Sequence, residues 1–254
     1  MKKIFYAALC ALPMVLATSC ENDNYPEPEE TFCGKFVDKV TGEPFQCAMG
    51  NTGIRIRMME YSWSENPQPY DFNVMQDGTF NNTKIFAGEY GVTPSGAFVP
   101  LEEERINIKG RVEKTYEVEP LLRVEWVGEP VVNGDGTADV NVKITRGTDN
   151  PDYQEPLAEA WLFVSENSYV GDFSFSNIYS TKIAGAAIAD IELDKVYTVR
   201  TGQPGGYNPG GECTAFPTYE RKYFLRFGAR TTRQFDGTNR YNYTTIKEIV
   251  NPAR

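Results

Sequence analysis

Apolar positions in this chain recur at every second residue in short runs, and turn-forming residues separate the runs. In Gly53-Ile54-Arg55-Ile56-Arg57-Met58, Ile54, Ile56 and Met58 share one side and two arginines the other. A period of two is the signature of a strand with one buried face. The same alternation runs through residues 105–110, through Leu122, Val124 and Trp126, and through 139–144. Residues 32–40, 159–165, 177–183, 189–199, 221–232 and 241–250 supply further candidate strands. Thr41-Gly42-Glu43-Pro44 breaks the first of these, while Asp77-Gly78 and Asn133-Gly134-Asp135-Gly136 are hairpin signals. Alanine-rich residues 184–196 also permit a short helix. The pattern predicts an all-β fold.

The alternation changes character across Tyr116-Glu117-Val118-Glu119-Pro120, where proline ends ladder and helix alike. Of the 254 residues, those after the first 30 suffice for two ordinary domains. We therefore expect two consecutive β-sandwiches, over 31–116 and 117–254, the second with about seven short strands.

The first 30 residues follow a different rule. Lys2 and Lys3 precede an apolar run from Ile4 to Ala17, which has secretory-leader length and falls short of the roughly 20 residues that span a bilayer. Leu16-Ala17-Thr18-Ser19-Cys20 then resembles a bacterial lipobox. The resemblance implies a signal peptide over 1–19, lipidation of Cys20, and a protein anchored at the outer membrane, facing the cell exterior, without crossing the bilayer. An ordinary leader cut near Ala17, leaving Cys20 as a thiol, is the alternative. Residues 21–30 carry five acids, two prolines and no base, a composition that cannot bury enough apolar surface to fold. Residues 20–30 are thus expected to form a disordered acidic tether. Acids directly after a lipidated cysteine also resemble the export signal of Gram-negative surface lipoproteins in glycan-uptake systems.

Composition narrows the function classes. The chain carries a net charge of −10, and without Lys2 and Lys3 it has 23 bases against 35 acids. Nucleic-acid binding, which needs a basic surface, is not expected. Setting aside Cys10 and Cys20, three cysteines remain, and Cys33 and Cys47 either pair or stay as buried thiols beside Cys213. The absence of histidine and of any C-x-x-C pair removes the usual zinc ligands. Asn133, Asp135, Thr137 and Asp139 mimic the start of a calcium loop, but the twelfth position is Ile144 and a plain turn is expected. No metal and no cofactor is expected.

Three pieces in order, Gly34-x-x-Val37-Asp38-x-x-Thr41-Gly42-x-Pro44, Asp77-Gly78-x-Phe80 and Gly88-x-Tyr90-x-Val92, resemble the carboxypeptidase regulatory-like, or transthyretin-like, β-sandwich. That module is usually a non-catalytic spacer or binding unit. In it Gly42 and Gly78 would permit positive φ in turns, and Phe80, Tyr90 and Val92 would fill the core. Farther on, residues 222–230 resemble the penultimate strand of a fibronectin-like domain, with Arg226 and Arg230 facing outward opposite Phe227. Trp161 stands where immunoglobulin-like domains bury an aromatic ring. Together with the lipobox and tether, the chain resembles two-domain surface lipoproteins associated with starch-utilisation-type glycan uptake systems. The resemblance implies accessory glycan capture beside a TonB-dependent transporter and its glycan-binding partner lipoprotein, with membrane contact through the lipid anchor only.

Saccharide sites combine a ring face for the sugar C–H surface with amides for its hydroxyls. The proline-stiffened stretch 61–70 offers Trp63 and Tyr70 among Ser, Glu, Asn and Gln, and these rings either meet a ligand or pack on the sandwich rim. Tyr169 and Tyr179 flank the loop 171–174, and the glycine-rich stretch 201–213 holds Tyr207 and Asn208, as a binding loop or a disordered one. A glycoside hydrolase needs only two placed carboxylates, so the acid count alone leaves one open. No other catalytic motif is present, and the missing histidines remove the commonest general base. The expectation is a non-enzyme that binds glycan, with a spacer or docking subunit lacking any ligand as the alternative.

Overall fold

The computed structural model describes residues 27–204 and 211–254. The leader, Cys20, Tyr207 and Asn208 lie outside the described residues. The chain folds as all-β sandwiches, as the alternation requires. Among the described residues no helix is long and apolar enough to cross a membrane.

The first sandwich contains β1 (Glu30–Asp38), β2 (Arg55–Glu60), β3 (Pro69–Asn73), β4 (Thr79–Ile85), β5 (Gly88–Ser95), β6 (Glu104–Ile108) and β7 (Arg111–Val118). Its sheets have the orders β4-β1-β7 and β3-β2-β5-β6. Phe32, Phe36, Phe80 and Tyr116 from one sheet meet Ile56, Met58, Tyr90 and Val92 from the other in a single core. Phe36 stacks on Tyr116 with ring centroids 4.9 Å apart, an arrangement worth about 0.5–1.5 kcal/mol beyond area burial. Strands β1 and β7 run parallel, in register from Thr31 opposite Arg111 to Asp38 opposite Val118. A Cβ on Gly34 would overlap the Lys114 carbonyl and the Phe80 ring, so glycine is what lets β7 lie this close. Because Val118 belongs to the first core, β7 carries that sandwich through residue 118.

Two local expectations change meaning in three dimensions. Gly78 has φ +81°, and Asp77 Oδ1 accepts hydrogen bonds from Thr79 N at 3.0 Å and Thr79 Oγ1 at 2.7 Å, as a turn demands. Yet β3 and β4 on either side belong to different sheets, so the expected hairpin is a corner between layers. Cys33 and Cys47 are separate buried thiols. Cys33 Sγ contacts the Val112 carbonyl at 3.6 Å, whereas Cys47 Sγ contacts that of Met75 at 3.2 Å.

The second sandwich contains β8 (Leu122–Trp126), β9 (Val131–Val132), β10 (Ala138–Arg146), β11 (Leu157–Ser165), β12 (Thr181–Ala184), β13 (Val196–Arg200), β14 (Arg221–Thr231), β15 (Gln234–Phe235), β16 (Thr238–Asn239), β17 (Asn242–Tyr243) and β18 (Lys247–Asn251). One sheet is β13-β10-β8 with β9 on β10, and the other is β12-β11-β14 with β17 and β18 along β14. Val140, Val142, Ile144, Leu162, Leu225 and Phe227 lie in the core between them. The 133–136 turn makes its hairpin, with Val132 opposite Ala138. Asp135 Oδ1 accepts from Thr137 N at 2.9 Å and from Thr137 Oγ1 at 2.7 Å, as a turn demands. The expected strands at 177–183 and 189–199 contract to β12 and β13, with a 3-10 helix at Gly185–Asp190 between them.

The outward face of β11 and β14 is covered rather than exposed. Trp161, Phe163, Val170, Tyr241 and Tyr243 form a separate apolar cluster there, completed by Ala48 of the first sandwich. Arg226 points opposite Phe227 as the alternation requires, but it is fully buried, which corrects the expectation of an outward-facing arginine. Its Nη1 donates to the Cys47 carbonyl at 2.9 Å and the Val170 carbonyl at 3.3 Å. Nη2 donates to Gln76 O at 3.0 Å, and Nε to Thr244 O at 3.0 Å. The guanidinium carbon sits 4.4 Å from the centre of the Tyr243 ring. Burial pulls the Arg226 pKa below its ordinary value, yet guanidinium stays protonated in proteins. Nearby, Arg240 donates to the carbonyls of Gly53 and Ser95, Asn242 Nδ2 donates to Ala97 O at 2.9 Å, and Asp38 accepts from Arg123 Nε at 2.5 Å. The two sandwiches thus share a buried polar seam.

Candidate functional site

The pole of the first sandwich where the chain enters β1 gathers three segments: residues 27–30, the β2–β3 connection and the Phe86–Ala87 turn before β5. They enclose a cavity of about 380 Å³ lined by Glu27, Glu29, Glu30, Glu60, Trp63, Phe86 and Ala87. The connection is tied down at its base. Tyr61 N donates to Glu89 O at 2.8 Å, Ser62 Oγ accepts from Glu89 N at 2.8 Å, and Ser64 Oγ accepts from Asn66 N at 3.1 Å. The Arg105 guanidinium lies 3.3 Å from the centre of the Tyr61 ring. Beyond this stem Trp63 is 73% exposed, and Phe86 is 41% exposed.

The cavity wall is acidic. Glu30 accepts from the Gly110 amide, and the Glu60 carboxylate faces the Tyr90 hydroxyl. The Tyr90 hydroxyl lies between two acceptors, the Glu60 carboxylate and the Phe86 carbonyl at 3.0 Å. Burial, then the neighbouring Glu60 carboxylate, pushes the Tyr90 pKa up to about 12, so the hydroxyl stays protonated. Among the described residues no base lines the cavity, although exposed Lys84 stands near the end of β4 and exposed Lys109 on the turn before β7.

The other predicted rings lie elsewhere. Tyr70 is exposed on β3, its hydroxyl accepting from Asn82 Nδ2 at 2.8 Å and its ring 6.2 Å from that of Phe72, along the rim of the core. Tyr169 is exposed on the loop before β12, near the seam, where Gln76 Nε2 donates to the adjoining Ser168 carbonyl at 2.9 Å. Tyr179 packs against the second core, 5.0 Å from the Phe216 ring and 5.6 Å from that of Tyr223. Tyr207 and Asn208 lie outside the described residues. Of the sequence candidates, therefore, Trp63 alone among those described lines this cavity. Sequence reasoning missed Glu60 and Phe86. The available signal was an apolar residue at a turn between two strands, where no core position calls for one.

A second cleft, about 440 Å³, opens at the seam beside β11 and holds Glu159, Trp161, Asp172, Phe175, Lys182 and Tyr241 in its wall. Two carboxylates in one cleft resemble an acid–base pair, and their pKa values are driven apart. Burial raises that of Glu159, but hydrogen bonds from Tyr241, Arg230 and Lys182 outweigh it and bring the value down to about 2. Burial also raises that of Asp172, and hydrogen bonds from Tyr243 and Thr52 offset it only in part, so the net shift is upward. Each carboxylate is held by its neighbours: Lys182 Nζ is 3.0 Å and Arg230 Nε 3.3 Å from Glu159, and Tyr243 Oη donates to Asp172 Oδ1 at 2.8 Å. The Trp161 ring is also engaged, stacked on Phe163 at 5.2 Å with Lys182 Nζ 4.7 Å from its centre. This cleft reads as an internal polar knot, whereas the cavity at the first pole has the exposed residues Trp63 and Phe86 in its wall.

Comparisons with known proteins agree with the architecture. The family model described as "Protein of unknown function (DUF3823) N-terminal domain" matches residues 30–119. A DUF3823 family protein from Bacteroides uniformis is 30% identical, with a TM-score of 0.76 over 89% of this chain and 100% of its own. A candidate carbohydrate-binding protein from the same species is 22% identical, with a TM-score of 0.67 over 87% of this chain and 99% of its own. A DUF3823 family protein from Parabacteroides merdae is 17% identical, with a TM-score of 0.62 over 88% of this chain and 100% of its own. No curated protein matches the chain. The near-complete overlap with the first of these at its level of identity carries the assignment beyond a shared sandwich, and this chain belongs to the DUF3823 family.

Proposed function

We propose that the protein is a non-catalytic glycan-binding lipoprotein, anchored through Cys20 on the outer face of the outer membrane. It would serve a polysaccharide uptake system beside a TonB-dependent transporter and that transporter's glycan-binding lipoprotein. The observation that carries the binding role is the Trp63 ring, exposed with Phe86 above a wall of carboxylates. A flat ring face takes the apolar side of a pyranose, and carboxylates accept from its hydroxyls. The carbohydrate-binding role given to the second Bacteroides uniformis relative belongs to the same class. The saturated carboxylates at the seam support a role without catalysis.

The test is a glycan array with the full-length protein in detergent, followed by calorimetric titration of hits against wild type, Trp63→Ala and Phe86→Ala. Saturable binding weakened by Trp63→Ala, with circular dichroism unchanged, is the expected result. A second reading, a spacer or docking subunit, is favoured by the buried seam that fixes one sandwich to the other. Absence of binding across the array would select it. In cells producing the protein, Cys20→Ala is expected to move it from the membrane fraction to the soluble one.

A further inference from the structure

Away from the first pole, arginines collect on the outer face of β2. Ile56 and Met58 point into the core, so Arg55 and Arg57 alternate outward, opposite Ser95 and Thr93 of β5. The β15–β16 hairpin of the second sandwich meets this face across a cavity of about 270 Å³, whose wall includes Arg55, Arg57, Pro94, Leu101, Phe235 and Asp236. Arg57 Nε and Nη2 both donate to Asp71 at 2.9 Å. Arg55 Nε is left 3.7 Å from Asp71 Oδ2, beyond hydrogen-bond reach, and is buried without an acceptor. At the foot of the hairpin, buried Arg240 donates to the Gly53 and Ser95 carbonyls; its Nε also lacks an acceptor, and among the described residues no carboxylate pairs with it. Burial, then repulsion from Arg55, pulls the Arg240 pKa below its ordinary value. Three guanidiniums thus share two carboxylates, Asp71 and Asp236, which leaves positive charge and two buried donors unanswered.

The second of those carboxylates is a weak partner. Asp236 and Gly237 have φ +51° and +71°, the angles of a two-residue I′ turn, and this turn carries Asp236 Oδ2 to 2.5 Å from Arg55 Nη2. The Asp236 side chain is 60% exposed, and so open an ion pair contributes little. Strand β15 pairs with β16 alone, and a lone two-stranded hairpin is marginal without support. An arriving carboxylate can therefore replace Asp236 with little loss.

We infer that this cavity between the sandwiches is a second glycan subsite, selective for a uronate whose carboxylate takes Arg55 from Asp236 while its ring packs on Phe235 and Leu101. The inference rests on the glycan-binding reading above for the class of ligand, and adds a site apart from the first pole. A planar guanidinium fork matches a planar carboxylate, which favours a uronate over a neutral sugar that leaves the positive charge unbalanced. Amino sugars are repelled. The volume falls just below the roughly 300–1,000 Å³ of drug-sized ligand pockets, so the cavity takes one sugar ring at a chain end or branch. Asp236 is then a built-in competitor, holding Arg55 until the uronate arrives.

Calorimetry on the full-length protein in detergent, at low and high salt, tests this with trimers of galacturonate and of galactose, and with a blocked glutamate tripeptide equal in charge to the galacturonate trimer. The galacturonate trimer should bind roughly tenfold or more tighter than the galactose trimer, the scale of one hydrogen bond to a charged group, with affinity falling as salt rises. Arg55→Gln should remove that preference, whereas Lys109→Gln, an equal change of charge on an exposed turn, should keep it. Asp236→Asn, a residue that tolerates the same positive φ, should raise galacturonate affinity roughly two- to fivefold, the scale of an exposed ion pair, and leave galactose unchanged. That gain separates competition by Asp236 from a merely structural role. Galactose binding as tightly as galacturonate, weaker galacturonate binding in Asp236→Asn, or equal losses in Arg55→Gln and Lys109→Gln would overturn the inference. The glutamate tripeptide binding as tightly as the uronate would overturn it as well, making the cavity a site for acidic peptides. If other arrayed glycans bind while galacturonate does not, the inference fails and glycan binding stands; no binding of any glycan defeats both readings.

Discussion

Replacing Arg226 with methionine tests the seam between the sandwiches. The substitution preserves an unbranched, apolar stem of similar reach but removes every donor, leaving the carbonyls of Cys47, Val170 and Thr244 without the guanidinium that serves them. Gln76 O is less affected, because it also accepts from Cys47 N at 3.1 Å. A buried carbonyl deprived of its partner costs about 1–3 kcal/mol. Relief of the desolvation borne by the buried cation offsets several kcal/mol of the combined loss. The balance is a destabilisation of about 3 kcal/mol, a large share of the roughly 5–15 kcal/mol that keeps a domain folded. Urea unfolding of the full-length protein, followed by tryptophan fluorescence, reads this directly, since Trp161 lies in the adjoining cluster. Arg226→Lys, which keeps the charge with a different donor geometry, should fall between wild type and Arg226→Met. An Arg226→Met midpoint equivalent to less than about 0.5 kcal/mol of loss would refute the reasoning, because water or repacking would then be satisfying the carbonyls.

Acid should reveal Glu159 next. Its folded pKa of about 2 lies below its ordinary value of 4.5, so its stabilisation is complete above about 4.5 and lost as pH falls through about 2. That shift corresponds to at most about 3 kcal/mol, trimmed by screening at a side chain that is 19% exposed. Urea midpoints measured across this pH window should fall for wild type and flatten for Glu159→Gln; equal slopes would sink the assignment. The thiols give a simpler check. Burial pushes the Cys47 pKa up to about 11, and Cys33 is buried too. Both should resist alkylation in the native protein and react after denaturation, and an intact mass showing a Cys33–Cys47 disulfide would contradict the structure.

The residues whose environment is set by their own strand were readable from the sequence. Ile56 and Met58 face the first core, and Leu122 and Val124 are buried on β8, as period two requires. Phe80, Tyr90 and Val92, placed by resemblance to a known sandwich, lie in that first core as well. The residues that escaped are those whose environment comes from distant chain. Alternation oriented Arg226 correctly against Phe227, but the cover over it comes from residues 46–47, 76 and 170. Asp77-Gly78 has turn chemistry that specifies a bend without specifying which sheet receives the next strand. Trp161 is buried as expected, but it faces away from the sandwich core, in a cluster that needs Ala48 to close it. At the candidate site, Trp63 was legible because a tryptophan among polar residues and prolines lacks a core pattern, whereas Glu60 and Phe86 join it only through the folding of three separated segments.

The parallel pairing of β1 with β7 has a mechanical consequence. The chain enters β1 at the acidic pole and leaves β7 at the opposite end, toward the second sandwich. Tension between the N-terminus and the second sandwich therefore pulls these neighbouring strands past one another along their length. Eight consecutive residue pairs, from Thr31–Arg111 to Asp38–Val118, would carry that load together. Such a ladder yields by shear, with its hydrogen bonds breaking collectively, where a hairpin pulled at its open end would unzip one bond at a time. Loaded between its N-terminal end and the second sandwich, the first sandwich would act as a stiff link about 30 Å long, the span of a nine-residue strand.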